Sequence, residues 1–228
     1  MISFAEEAGT HRIPGELVTE MEQMFSTEGG LSTSPDFEYR PQQQQMAMAV
    51  AEALDERHVL CAEAGTGVGK SLAYLIPAAK FAMETGRKAI ISTHTINLQE
   101  QLIKKDIPLA NKILGGGVHA ALMKGRGNYL CPLRLRRAMD QAGDLFSTSE
   151  SEEMKAIWDW AEGTKDGTKS DLDFMPTPKV WAQVCSDGAV CTQRTCGRNG
   201  NCFYQQARKE MEAANVIVVN HTLYFSLF

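Results

Sequence analysis

One short segment, Glu63-Ala-Gly-Thr-Gly-Val-Gly-Lys-Ser71, constrains the fold of this chain more than any other feature. It lies between an apolar run, His58–Ala62, and a helix-forming stretch that begins at Ser71. A glycine-rich turn between a strand and a helix points backbone N–H groups and the positive end of the helix dipole at phosphate oxygens. The sequence therefore predicts a phosphate loop that binds a nucleotide. The alternative is a glycine turn that binds nothing.

The side chains that close the loop carry the predicted chemistry. Lys70 is expected to reach the β- and γ-phosphates of ATP, and the Ser71 hydroxyl is expected to bind Mg²⁺, so both are assigned catalytic roles. The predicted cofactor-binding residues of the loop are Ala64, Gly65, Thr66, Gly67, Val68, Gly69, Lys70 and Ser71.

Apolar runs and helical patterns alternate around this loop. Lys88–Thr93 and Ala214–Asn220 are predicted strands, and Asn97–Ile103 is a predicted helix between them. This alternation predicts an α/β fold with a doubly wound parallel sheet. The run His58–Ala62 is predicted to be a further strand, with Cys61 as a small buried apolar residue. Near the amino terminus, Pro14–Phe25 predicts a short amphipathic helix.

The composition is that of a globular protein, with 43% hydrophobic and 22% charged residues. The amino terminus is acidic and has no apolar core, so no secretion signal is predicted. No apolar run approaches membrane-spanning length, and we expect a cytoplasmic protein without membrane contact. The net charge of −5 argues against nucleic-acid binding over the whole surface but allows a local basic groove.

Five of the six cysteines lie between residues 125 and 213, in a stretch rich in Gly, Ser and Asp: Cys131, Cys185, Cys191, Cys196 and Cys202. Disulfides are disfavoured in the cytoplasm. Structural zinc sites usually present C-x2-C pairs, which this chain lacks, whereas longer spacings suit an iron–sulfur cluster. An iron–sulfur cluster, a zinc ion and no metal at all remain open from spacing alone. The favoured ligands are Cys131, Cys191, Cys196 and Cys202, with Cys185 as a substitute.

Basic residues surround Cys131, with Tyr129, Phe203 and Tyr204 available to stack on bases. This composition predicts a channel for single-stranded DNA, and the alternative is a solvated basic face. The predicted DNA-binding residues are Lys124, Arg126, Arg134 and Arg137. Ser147–Glu153 is interpreted as a solvated run, and the three tryptophans of the stretch as its small core. His94 and His221 are interpreted as structural, or near the DNA path, rather than as metal ligands.

Together these motifs resemble the DinG/XPD-type iron–sulfur DNA helicases of superfamily two, and the DinG branch most closely. Phe37–Gln43 is similar to the Q-motif of that family, in which Arg40 and Gln43 would contact adenine. Ser92–Leu102 is similar to motif Ia, which faces the DNA backbone. Lys124–Cys131 is similar to the segment that carries the first cluster ligand.

The resemblance implies an ATP-dependent DNA helicase that moves 5′→3′ on single-stranded DNA in repair or replication, as a monomer. It also implies one [4Fe–4S] cluster and a RecA-like motor domain with an inserted cluster domain. The expected domains are an amino-terminal helix and linker (1–36), the first part of the motor (37–124), the insertion (125–213) and a returning motor strand (214–228).

The family's DEAH box is expected after the strand at Val216–Asn220, and Phe228 is reached before it. Asp55–His58 resembles that box superficially but precedes the phosphate loop. Without that box and the second motor domain, we expect the chain not to hydrolyse ATP efficiently. Two alternatives stay open: an iron–sulfur nuclease–helicase and a non-catalytic, zinc-bearing module that binds nucleic acid.

Overall fold

The computed structural model of the chain describes residues 13, 15–33, 38–141, 147–191, 196 and 201–227. By contacts the chain divides into two compact units, one formed by residues 1–122 with 213–228 and the other by residues 123–212. Within the described ranges, no helix is both long and apolar enough to cross a membrane.

The first unit is built around a small parallel sheet. Its strands are β1 (Ala89–Thr93), β2 (Ala120–Leu122) and β3 (Val216–Asn220), in the order β1-β3-β2. The central strand β3 pairs with β1 from Ala89↔Val216 onwards and with β2 from Ala120↔Val216 onwards, so all three strands start level. The α/β class, the parallel pairing and the predicted strands at β1 and β3 are confirmed.

The described residues of the first unit contain six α-helices besides these strands. They are α1 (Glu16–Met24), α2 (Pro41–Glu56), α3 (Lys70–Thr85), α4 (Ile96–Gln101), α5 (Ile107–Ile113) and α10 (His221–Leu227). The predicted amino-terminal helix is confirmed by α1, which buries Leu17 and Met21 on one face. Because these positions are four residues apart, they lie on the same side of the helix. Together with Leu75 and Ile76 of α3 they belong to the main apolar core of the unit.

The helix after β1 contains an irregularity that the sequence analysis did not predict. Between α4 and α5, residues Leu102–Asp106 form a π-helical turn. Pro108 lies in the first turn of α5 and has no N–H to donate to a carbonyl of the preceding turn. The chain therefore continues through a wider turn, and such π-helical segments are frequent at functional sites.

The prediction of a buried strand at His58–Ala62 is wrong. The segment is irregular, Val59 is 96% exposed, and Cys61 is exposed rather than buried. A strand needs a neighbour that pairs with its backbone N–H and C=O groups. The described strands pair only with one another, so this apolar run has no strand beside it.

The second unit is helical and has an apolar core of its own. The α-helices among its described residues are α6 (Pro132–Asp140), α7 (Thr148–Ala161), α8 (Pro178–Val184) and α9 (Phe203–Ala213). Trp181 is buried in this core, and Trp158 and Trp160 pack against it, which confirms the interpretation of the tryptophans. No residue of Ser147–Glu153 is buried, which agrees with the interpretation of a solvated run, but its helical conformation was not predicted. These residues begin α7, where Ser147 and Glu150 form a capping box, and the Ser-x-x-Glu spacing is a recognised signal for that start.

Candidate nucleotide-binding and cysteine sites

The predicted phosphate loop ends where α3 begins. Gly67 and Gly69 have left-handed backbone conformations, with φ of 81° and 83°. Gly69 is also the N-cap of α3. A Cβ at Gly69 would lie 2.3 Å from Nε2 of Gln43. A side chain at this position is therefore disfavoured by the backbone conformation and would also have to displace the Gln43 amide.

The Lys70 ammonium lies across the mouth of the loop. Its Nζ donates hydrogen bonds to the carbonyl oxygens of Ala64, at 2.9 Å, and Gly65, at 2.7 Å. A lysine ammonium has three donors, so one remains for a ligand while these two hold the loop closed. This geometry places the cation beside the turn that would enclose the phosphates. The predicted contact of Lys70 with phosphate stays a prediction.

Two side chains at the start of α2 hold the same loop. Arg40 Nη1 donates to the Gly67 carbonyl at 2.6 Å, and Gln43 Nε2 donates to the Gly69 carbonyl at 2.9 Å. Gln43 is buried, and Arg40 also forms an ion pair with Glu38 at 2.8 Å. The family resemblance predicts that Arg40 and Gln43 contact adenine. The structure brings both to the loop itself, and their contact with adenine stays a prediction.

The Asp106 carboxylate and the Tyr74 phenol lie close to the Ser71 hydroxyl. Burial raises the pKa of Asp106, while the Gln101 amide, which donates a hydrogen bond to the carboxylate, and the nearby Ser71 hydroxyl oppose that rise. Asp106 therefore lies beside the hydroxyl that is predicted to bind Mg²⁺. No local sequence pattern marks Asp106, because its proximity to Ser71 depends on the π-helical turn coming close to α3.

The backbone around Cys131 is fixed by a short antiparallel arrangement. The Cys131 N–H donates to the Val184 carbonyl at 2.8 Å, and the Ser186 N–H donates to the Tyr129 carbonyl at 2.7 Å. Between these bonds, Leu130 and Cys185 form an isolated antiparallel bridge. Cys131 itself is buried and forms the N-cap of α6. Its position is thus set by backbone pairing.

A pocket of about 320 Å³ opens beside this cysteine. It is lined by Cys131, Pro132, Leu133, Arg136, Cys196, Asn201 and Cys202. Three of the four predicted ligands therefore share one pocket. The fourth, Cys191, forms a hydrogen bond with Cys196 and lies 3.7 Å from the Ser186 hydroxyl. In the parts of the chain that the structure describes, no three His, Cys, Asp or Glu side chains are arranged to hold a metal ion. The ligand set stays a prediction.

The thiols of the pocket differ in acidity. Burial raises the pKa of Cys131, and the nearby Cys191 and Cys196 add to that rise. Burial also acts to raise the pKa of Cys191, but hydrogen bonds with the Asp187 backbone and the Ser186 hydroxyl, with the Arg126 charge, lower it overall. A thiolate is the form that binds a metal. The donor set is therefore chemically suited to a thiolate-bound centre, with Cys191 the more readily ionised of these two thiols.

Cys185 lies outside the set of residues that line the pocket. Its carbonyl accepts a hydrogen bond from Arg134 Nη1 at 2.6 Å, and its thiol lies 3.9 Å from the Ala182 carbonyl. Burial raises the pKa of the Cys185 thiol, against the opposing charge of Arg134. This placement suits a structural role for Cys185.

The predicted DNA-binding residues have different surroundings. Lys124 is buried and donates to the Ser170 hydroxyl. Arg134 donates hydrogen bonds to the Cys185 and Ala182 carbonyls. Lys124 and Arg134 therefore both form hydrogen bonds within the second unit. The Arg126 guanidinium lies 4.1 Å from the centre of the Tyr204 ring. Arg137 is exposed, as is its neighbour Arg136.

Tyr129 cannot stack on a base as predicted. It is 1% exposed, its hydroxyl accepts the Lys124 N–H at 3.0 Å, and burial raises its pKa to about 12. Tyr204 packs edge-on against it, with ring centres 5.7 Å apart. Tyr129 is therefore closed to a ligand, whereas Arg136 and Arg137 are exposed.

A glycine-rich loop at the start of a helix, in a unit with a parallel sheet, defines the class of phosphate-loop proteins. Comparison with known proteins shows which family within this class the chain resembles. Residues 40–130 match the DEAD/DEAH box helicase family. The chain is 38% identical over 205 residues to the ATP-dependent DNA helicase YoaA of Haemophilus influenzae, a match that covers 89% of this chain and 31% of that protein.

Two DinG proteins are also similar. The ATP-dependent DNA helicase DinG of Photobacterium profundum is 35% identical over 189 residues, covering 78% of this chain and 27% of the relative. DinG of Escherichia coli K12 is 34% identical over 205 residues, covering 83% and 28%. The chain belongs to the DEAD/DEAH box helicases, in the group that contains DinG and YoaA. It spans less than a third of the length of these curated relatives.

Proposed function

We propose that this chain is part of an ATP-dependent DNA helicase, in which the first unit binds Mg²⁺–ATP and the second contacts single-stranded DNA. The observation that carries the proposal is the loop Ala64–Ser71, held in shape at the start of α3 with Lys70 across its mouth. The names of the similar proteins support the reaction. Movement in the 5′→3′ direction, a role in repair or replication, a monomeric state and a cytoplasmic location rest on the family resemblance.

In this proposal the residues in and around the loop have separate roles in binding the nucleotide. Lys70 directs its remaining donor and its charge at the negatively charged phosphates, while its bonds with the Ala64 and Gly65 carbonyls keep the loop in shape. Asp106 orients the Ser71 hydroxyl towards the place of the metal. Arg40 and Gln43 keep the Gly67 and Gly69 carbonyls turned away from the phosphates. Bound Mg²⁺ would neutralise phosphate charge as the terminal phosphoryl group leaves.

We further propose that Cys131, Cys191, Cys196 and Cys202 hold one [4Fe–4S] cluster. Three of these thiols line one pocket, and the fourth is hydrogen-bonded to Cys196, which supports the choice. Protein-bound clusters of this type take four cysteine thiolates. The cluster would tie the polar segment 185–202 to the start of α6, and the DNA contact would lie on the exposed surface of that helix.

The DNA contact is tested by changing the exposed arginines of α6. Arg136→Glu with Arg137→Glu should weaken single-stranded DNA binding and flatten its dependence on salt, because each phosphate contact releases counterions. Losing two contacts should reduce the slope of log K against log salt by about 1.4. The measurement is fluorescence anisotropy of a labelled oligothymidylate, titrated with cluster-loaded protein at several salt concentrations.

Lys155→Glu with Lys165→Glu provides the matched control, since both lysines are exposed in the same unit. Equal losses of DNA affinity in the two double variants would show that the net charge of the protein, rather than the two arginines of α6, determines the affinity. Arg134 is unsuitable for this test, because its replacement would break two hydrogen bonds inside the unit.

A further inference from the structure

A buried hydroxyl lies beside one of the predicted cluster ligands. Ser186 is 3% exposed, and its Oγ forms a hydrogen bond with the Cys191 sulfur at 3.7 Å. A buried hydroxyl without a partner is costly, because it has given up its bonds with water. The Cys191 sulfur supplies that partner. The sequence analysis gave Ser186 no role, and it is not itself a ligand of the proposed cluster.

The backbone of Ser186 is fixed to the segment that carries another ligand. Its N–H donates to the Tyr129 carbonyl at 2.7 Å, and Tyr129 lies two residues before Cys131. The residue before Ser186 forms the isolated antiparallel bridge with Leu130. Ser186 therefore connects two predicted ligands. Its backbone is paired with the segment of Cys131, and its side chain contacts Cys191.

A short turn fixes Cys191 relative to the serine. The Cys191 N–H donates to the Asp187 carbonyl at 2.8 Å. The Asp187 carboxylate has other partners, since Oδ1 accepts the Ala189 N–H at 2.9 Å and Oδ2 lies 3.9 Å from Nη1 of Arg134. The contact between the Ser186 hydroxyl and the Cys191 sulfur is thus held by backbone hydrogen bonds at both ends, rather than by a long side chain on the surface.

Metal binding decides the direction of this hydrogen bond. Between a thiol and a hydroxyl either group can donate, whereas a metal-bound thiolate has no proton and can only accept. The Ser186 hydroxyl is then the donor. Because the sulfur carries negative charge, the bond is charge-assisted and stronger than a neutral one. Hydrogen bonds to the sulfurs are among the factors that set the reduction potential of an iron–sulfur cluster.

We propose that Ser186 is a positioning residue that donates a hydrogen bond to the Cys191 thiolate and thereby raises the reduction potential of the cluster. The inference rests on the proposed cluster. When a cluster takes up one electron, its sulfurs become more negative, so a hydrogen bond to them is stronger in the reduced form than in the oxidised form. The hydroxyl therefore stabilises the reduced form more and makes the cluster easier to reduce.

Ser186→Ala removes the hydroxyl and should lower the midpoint potential. Anaerobic, cluster-loaded protein is titrated with dithionite, which supplies the electron, in the presence of redox mediators, and the reduced cluster is measured by EPR. At a given potential the ratio of reduced to oxidised cluster should fall about threefold to tenfold, because only the part of the bond energy that depends on the added electron is lost. A tenfold change corresponds to about 59 mV for a one-electron couple.

Two further variants separate the hydroxyl from general effects of substitution. Ser186→Thr keeps the hydroxyl and should keep the wild-type potential. Thr168→Val is the matched control, because Thr168 is also buried in the second unit but donates to the Asp166 carboxylate at 3.1 Å. Equal shifts in Ser186→Ala and Thr168→Val overturn the inference. Arg126, whose charge also acts on Cys191, is unchanged in all three variants and cannot cause a difference between them.

The remaining outcomes distinguish this inference from the proposed cluster. Equal potentials in wild type and Ser186→Ala refute the inference and leave the cluster standing. If wild-type protein contains no iron and sulfide, the cluster and the inference both fail. If Ser186→Ala loses its iron, retention in Ser186→Thr supports the hydrogen bond, because only the alanine variant lacks the hydroxyl. Loss of iron in both variants shows that the packing of the side chain matters instead, and the inference is wrong.

Discussion

Replacing Gly69 by alanine should abolish detectable binding of Mg²⁺–ATP. The residue has φ of 83°, and an added Cβ would lie 2.3 Å from the Gln43 amide nitrogen. Either the loop or Gln43 must move, and both movements break the hydrogen bond that fixes the Gly69 carbonyl. Since a bound phosphate needs the backbone N–H groups in one concave arrangement, we expect an affinity loss of at least about 100-fold by calorimetry.

Gly86→Ala is the control for general strain. Gly86 ends the same helix with φ of 69°, and an added Cβ there meets nothing within 4 Å. Both substitutions should lower the free energy of unfolding by about 1 kcal/mol through the backbone, but only Gly69→Ala should affect the nucleotide. Wild-type affinity in Gly69→Ala would show that the loop does not enclose the phosphates.

Changing any one of Cys131, Cys191, Cys196 or Cys202 to serine should remove the iron–sulfur cluster. Anaerobically purified wild-type protein should be brown and contain iron and sulfide, and each variant should lose both. The structural consequence should be confined to residues 185–202. This segment is polar and needs the metal to offset its ordering entropy. The helices α6, α7 and α8 share an apolar core and should stay folded.

Hydrogen exchange measures that consequence directly. Amides of 185–202 should exchange faster in the ligand variants, while the protection of Leu135, Met154 and Val180 should persist. Cys185→Ser and Cys61→Ser are the controls, because neither thiol lines the pocket and Cys61 lies in the other unit. Zinc in place of iron and sulfide would contradict the cluster. Loss of iron in Cys185→Ser, with retention in Cys131→Ser, would show that the ligand set is wrong.

The strands that could be predicted from the sequence are those with a continuous β-branched run. Ile90 and Ile91 in β1 and Val216–Val219 in β3 are such runs, and β3 is buried because it lies between two parallel neighbours. The short strand β2, Ala120–Leu122, was missed because none of its three residues is β-branched or aromatic, so they carry no strand signal. His58–Ala62 has the right composition for a strand, but composition does not supply a pairing partner.

The candidate site was predictable to the extent that it follows from local pattern. The glycine spacing and the lysine identify the loop, whereas the contacts of Arg40, Gln43 and Asp106 join positions more than twenty residues apart. The burial of Lys124 and Tyr129 likewise results from packing within the second unit and has no local signal. Residue types therefore indicated which chemistry is available, and packing decided which side chains are free to perform it.

The central claim is that the loop Ala64–Ser71 binds nucleotide phosphates through Lys70. Isothermal titration of Mg²⁺–ATP into the wild-type chain, the Lys70→Ala variant and the control Lys104→Ala tests it most directly. Lys104 is an exposed lysine of the same unit, paired with Glu100, and its loss should change nothing. Removing a charged hydrogen bond worth about 1.5–3 kcal/mol should weaken ATP binding by at least tenfold in Lys70→Ala. Equal affinities in all three proteins would contradict the account.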